Sequence, residues 1–257
     1  IILANCFISC MLRFHNSNYK LSLWSPLSTI LVNIGLAKQK KLWICPWLLA
    51  FFVTSFWVVA QTKLSSEALV TPHLIVQVEK QYGEMAKRRI IAWKKLMDEG
   101  KNWDDQKKLS EVNDYFNQYT YKSDLVYVGK ADYWMTPVEF ITSGGGDCED
   151  FSIAKYFTLQ AMNIPTDRLR ITYVKALKLK QAHMVLTYFA NPGAEPLVLD
   201  NLTSEIKSAS ERSDLEPVYS VNVEGVWLSK QRSLGKRIGG VERISQWKGL
   251  LERMEKT

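Results

Sequence analysis

The chain has 257 residues and a formal net charge of +7, but residues 1–60 hold five basic residues (Arg13, Lys20, Lys38, Lys40, Lys41) and no acidic one. From residue 61 onward 33 − 5 = 28 basic residues face 26 acidic ones, and a balance of +2 gives no case for nucleic-acid binding. Cys6, Cys10 and Cys45 all lie upstream, so the part from residue 61 keeps one cysteine, Cys148, and has no internal disulfide.

Residues 1–37 show no helical or strand periodicity and, with Ile1 rather than Met in front, read as an upstream over-extension of the reading frame. Residues 38–60, KQKKLWICPWLLAFFVTSFWVVA, have a basic start, an apolar stretch from Leu42 to Val59 and a small residue, Ala60, at the end. That is the layout of a secretory signal cut after Ala60. An uncleaved membrane anchor is the alternative, because the stretch approaches the roughly 20 residues that span a bilayer. In both cases the bulk of the chain is exported, and residues 61–257 suit one domain or a tightly joined pair of lobes. A single thiol surviving in an oxidising compartment is either deeply buried or chemically used.

Leu74, Val78, Met85, Ile90, Trp93 and Met97 predict a helix from Pro72 to Met97, broken or kinked at Gly83 and stopped by Gly100. Leu109, Val112, Phe116 and Tyr119 predict a second from Asp105 to Tyr119. Thr136-Pro137-Val138-Glu139 is a capping box with proline at the first helical position, and Gly144 to Gly146 end the short helix it starts. The next helix is predicted from Asp147 to Met162, with Phe151, Ala154, Phe157 and Ala161 as its buried stripe. The period then changes to two. Leu169–Leu177, Ala182–Phe189, Pro196–Leu202, Pro217–Val223 and Val226–Ser229 read as strands, with turn chemistry at Asn191-Pro192-Gly193. VERISQWKGLLERMEK closes the chain as a helix. Helices first and strands afterwards imply an α+β domain with an antiparallel sheet.

The chemistry concentrates in GGGDCED, Gly144 to Asp150. A helix N-terminus favours thiolate over thiol at a cysteine in its first turn, and glycines before it let another chain approach the sulfur. A thiolate nucleophile needs a base, and the base an orienting group. His73 opens a helix and reads as a surface residue. His183 begins a strand, and Asp200 ends the next one, so the hairpin between them can set the two side by side. Asp147, Glu149 and Asp150 oppose a neighbouring thiolate if all are ionised. They can cap the helix, or offer hard oxygens to Ca²⁺, although no twelve-residue EF-hand pattern is present.

The stretch Trp134–Tyr156, with T-P-x-E-F and G-G-G-D-C-E-D-F, then Ala182-His183-Met184-Val185-Leu186 and Val198-Leu199-Asp200-Asn201, resembles the bacterial transglutaminase-like cysteine proteinases, and more narrowly their periplasmic, adhesin-cleaving members. The resemblance covers roughly Leu64 to Lys230. It implies a papain/transglutaminase-like core with the Cys-bearing helix packed on the sheet. Cys148, His183 and Asp200 would be nucleophile, general base and orienter, and Asp147, Glu149 and Asp150 side-chain ligands of Ca²⁺. It implies a periplasmic endopeptidase that cuts a large surface adhesin near a pair of alanines, controlling biofilm attachment, with an inner-membrane cyclic di-GMP receptor as inhibitory partner. Two other readings stay open: acyl transfer to an amine, as in transglutaminases, and a binding module that keeps the fold without turnover.

Overall fold

Four helices come first: α1 (Ser66–Leu69), α2 (Pro72–Tyr82), α3 (Glu84–Gly100) and α4 (Asp105–Asn117). The computed structural model describes residues 64–123, 129, 132–230 and 233–256, and the expectations for residues 1–60 lie outside them. The long first helix of the sequence reading is two helices, because Gly83 takes φ 83° and ψ 176° between them. Such a backbone suits glycine and ends the i to i−4 ladder. Thr71 and Asp104 cap α2 and α4 by accepting from the Leu74 and Lys107 amides, each cap worth about 1 kcal/mol.

The chain then runs through a two-residue strand, β1 (Thr120–Tyr121), to α5 (Pro137–Ser143), β2 (Gly145–Gly146) and α6 (Cys148–Ala161). The predicted capping box opens α5: Thr136 Oγ1 accepts from the Glu139 amide and Glu139 returns the bond to the Thr136 amide. Gly144 in the left-handed region (φ 77°) closes it. Helix α6 departs from expectation. In place of one apolar stripe, every residue from Glu149 to Ala161 is buried. One side faces the sheet and the others are covered by α3, α4 and α5, so α6 is the axis of the core rather than a helix on its surface.

Seven strands follow in one antiparallel sheet of order β6-β5-β4-β3-β7-β8-β9. They are β3 (Leu169–Ala176), β4 (Gln181–Tyr188), β5 (Leu197–Leu199), β6 (Lys207–Ser208), β7 (Leu215–Asn222), β8 (Gly225–Lys230) and β9 (Ser233–Gly239). Helix α7 (Ser245–Met254) closes the chain. Alternation along the strands splits the side chains: Ile171, Met184, Leu186, Tyr188, Leu199 and Val221 join the main core with α6, while Val174, Val185, Val198 and Leu215 form a smaller cluster. The expected α+β architecture, N-terminal helices with the cysteine helix on an antiparallel sheet, is the one observed.

Candidate active site

Helix α6 is fixed at its first turn by its own acids. Asp150 is fully buried; its Oδ1 accepts from the Met135 amide at 2.7 Å and its Oδ2 from the Asp147 amide at 3.1 Å. One carboxylate thus caps the helix and ties it to the segment entering α5. The glycines before it serve the fold as much as any substrate. β2 lies parallel to β1, with Gly145 opposite Thr120. A Cβ on Gly145 would stand 1.9 Å from the Thr120 carbonyl oxygen, and one on Gly146 2.3 Å from Asp150 Oδ2.

Cys148 is half-buried at the start of α6, and its thiol donates to Glu149 Oε2 at 3.2 Å. Burial pushes the thiol well above its ordinary value, and the charge and hydrogen bond of Glu149 and the charge of Asp147 push it further; the Met184 amide on β4 opposes them. Burial first, and the flanking acids with it, favour the thiol over the thiolate here.

The register Leu186↔Leu199 between β4 and β5 carries His183 and Asp200 to the same end of the hairpin. His183 Nε2 and Asp200 Oδ1 are 2.8 Å apart, with His183 3% and Asp200 1% exposed. Strand β5 stops at Leu199, so Asp200 stands just past its end. Burial alone would raise the Asp200 carboxyl, but bonds from His183, the Leu202 amide and Arg212 outweigh it and hold it down to about 2. An ionised carboxylate can only accept, so His183 Nε2 is the protonated nitrogen and Nδ1 the basic one.

Two supports of Asp200 went unread in the sequence. Arg212, 7% exposed, donates through Nη2 to Asp200 Oδ2 at 2.8 Å and to Asp214 Oδ2 at 2.9 Å. Nothing in its spacing announces this, since the two are twelve positions apart with β6 between them. Lys155, 1% exposed in α6, donates to the Asn113 and Asn117 side-chain oxygens at 2.8 and 2.7 Å. Asn117 in turn donates to the Asp200 and Thr203 carbonyls, which pins the Asp200 loop against α4. A lysine in the middle of an apolar helix was the available signal. Burial pulls its ammonium down to about 7, against the charges of Asp200 and Asp114.

Cys148 and His183 line one cleft of ≈ 240 Å³, together with Glu149, Trp134, Tyr173 and Tyr219. The two tyrosine rings stack in it at 5.1 Å between centroids. The cleft can therefore present a thiol, a basic imidazole and an aromatic wall to one ligand. His73 is exposed on α2, as expected. For calcium, the donor chemistry of Asp147, Glu149 and Asp150 fits: all are hard oxygens, carried within four successive residues. Among the described residues no three metal-ligating side chains converge, while Asp150 accepts from two backbone amides and Glu149 from the thiol.

Comparison with known proteins places the chain in a family. The family model for bacterial transglutaminase-like cysteine proteinases matches residues 80–220. Legionella pneumophila LapG, in an EGTA-treated form, is 46% identical, with 70% of this chain and 97% of that one covered and a TM-score of 0.62. Its calcium-bound form is 45% identical, with 70% and 98% covered and a TM-score of 0.61. No match was found among curated proteins. Fold, sequence match and solved relatives agree: the chain belongs to the bacterial transglutaminase-like cysteine proteinases, and it is a cysteine peptidase.

Proposed function

We propose that the protein is a calcium-dependent endopeptidase of the periplasm that cleaves the N-terminal region of a large surface adhesin near a pair of alanines. Its restraint falls to an inner-membrane cyclic di-GMP receptor. The observation that carries the catalytic part is the buried His183–Asp200 contact opening onto the cleft that holds Cys148. The calcium dependence has support from the calcium-bound LapG relative, while the substrate, the partner and the compartment rest on the motif resemblance of Trp134–Tyr156 and the His183 and Asp200 strands to the periplasmic, adhesin-cleaving members of the family.

In this reading the Cys148 Sγ–H gives its proton to His183 Nδ1, and the sulfur attacks the scissile carbonyl. Asp200 holds Nε2–H and stabilises the imidazolium that forms. Backbone amides at the start of α6 receive the oxyanion. As the tetrahedral intermediate collapses, His183 returns the proton to the leaving amine, leaving an acyl thioester on Cys148. A water, deprotonated by the same Nδ1, then releases the acid and restores the thiol. Asp147, Glu149 and Asp150 would hold the calcium ion, whose charge offsets the carboxylates that now oppose ionisation of the sulfur.

The test is incubation of the full chain with an adhesin N-terminal fragment, with Ca²⁺ and with a chelator, followed by mapping of new N-termini. Scission at one alanine-rich site, lost with chelator and restored by Ca²⁺, is expected. A labelled amine added to the same reaction decides the transferase alternative: incorporation without scission would replace the peptidase reading.

A further inference from the structure

We propose that the reverse face of the sheet carries a second binding site, for a neutral apolar group bearing a carbonyl oxygen, and that Arg212 relays its occupancy to Asp200. A cavity of ≈ 270 Å³ lies there, away from the Cys148 cleft. Its apolar base is Val174, Val185, Val198 and Leu215, the smaller of the two core clusters. Thr172 and Thr187 border it, but their hydroxyls bond each other at 2.9 Å.

Arg212 forms part of the wall and supplies the second observation. Its Nε and Nη2 are engaged by Asp214 and Asp200, yet its Nη1, with less than 1 Å² exposed, has no acceptor among the described residues. A buried guanidinium N–H without a partner is costly, and native structures seldom leave one. A turn of the guanidinium that brings Nη1 to an acceptor in the cavity would recover that cost.

Charge narrows the ligand. The single positive charge of Arg212 already touches two carboxylates, Asp200 and Asp214, and Glu216 lines the rim. No excess positive charge is left to draw an anion. A cation brings no acceptor for Nη1. A neutral carbonyl on an aliphatic body satisfies both the donor and the apolar base, and a leucyl side chain with its own amide suits the volume. The chemistry is that of one apolar residue in an extended peptide.

The consequence follows from the rigid guanidinium plane. Arg212 Nη2 holds Asp200 Oδ2, while Asp200 Oδ1 holds His183. An acceptor drawn to Nη1 turns the plane and changes the grip on the imidazole. This relay rests on the catalytic reading of His183 and Asp200; the binding does not.

The test uses the full chain, labelled at Val and Leu methyls and His rings, titrated with N-acetyl-leucinamide and followed by NMR, which reads binding without activity. Saturable shifts are expected at Val174, Val185 and Val198, with a matching shift of the His183 ring. Ala209→Phe and Ser213→Trp, which fill the cavity from two of its walls, should each weaken binding about tenfold or more, a loss of about 1.4 kcal/mol. N-acetyl-leucine, the same body with a carboxylate, should also bind about tenfold less tightly. Silent methyls, or undiminished affinity in both folded variants, would overturn the site. Tighter binding of the acid would overturn the neutral-acceptor assignment, and a His183 ring that ignores saturation would overturn the relay.

Discussion

Replacing Arg212 by Met removes one half of a buried ion pair and leaves its partner in place. Asp200 is 1% exposed, and losing the 2.8 Å bond from Nη2 strips its Oδ2 of the cation facing it. Breaking a buried pair from one side costs about 3–5 kcal/mol. The lower end applies, because Asp200 keeps His183 and the Leu202 amide, and Asp214, with its side chain 28% exposed, can rehydrate. A loss of about 3 kcal/mol in a domain of this size lowers Tm by roughly 6–12 °C. The loss has a pH signature. In the wild type Asp200 refuses a proton down to about 2, so its contribution is complete above the ordinary carboxylate value near 4 and is lost as pH falls through the folded one. The Arg212→Met carboxyl takes up its proton at higher pH, so the stability gap narrows on acidification. Urea melts of both proteins from neutral to about pH 2 cross this window and measure it directly. A neutral-pH gap under about 0.5 kcal/mol, unchanged on acidification, would show that the guanidinium is a solvated rim contact and refute the reasoning.

Other outcomes follow from neighbouring features. Gly145→Ala should cost several kcal/mol, because the added Cβ meets the Thr120 carbonyl at 1.9 Å and φ is 150°; a wild-type melt would show that β1 is not held where it is described. Lys155 releases its proton near 7 when folded, against its unperturbed value near 10.4. Its burial therefore costs stability below 7, and stability should climb by up to about 1.4 kcal/mol per pH unit between those values, a slope that Lys155→Met removes. Chelation should lower both activity and Tm, with Asp147→Ala mimicking it; if the acids only cap the helix, Asp147→Ala costs about 1 kcal/mol and is blind to chelator.

The readable parts of the chain were those written in local chemistry. Thr136-Pro-Val-Glu announces its capping box, Gly83 its helix break, and the alternation in Leu169–Leu177 its strand, each within a few residues. What stayed hidden depends on distant partners. Helix α6 looked one-sided because the residues burying its other faces lie far away in sequence, as in the bond from Trp93 Nε1 to Thr158 Oγ1 at 2.7 Å and the stacking of Trp247 on Phe157. Strand β9, SLGKRIG, went unread because it is an edge strand, and its charges and glycines look like loop. At the site, the hairpin that joins His183 to Asp200 was legible. The acceptor that Cys148 chooses was not, since Glu149 is a neighbour on the helix and only rotamer and burial decide the contact.

Whether Cys148 performs the attack is decided by one comparison: adhesin-fragment cleavage by wild type and by Cys148→Ala, at equal concentration in Ca²⁺, with both melts recorded. Matching melts and no new N-terminus with the variant are expected. A Cys148→Ala protein that still cuts at the wild-type position would contradict that role.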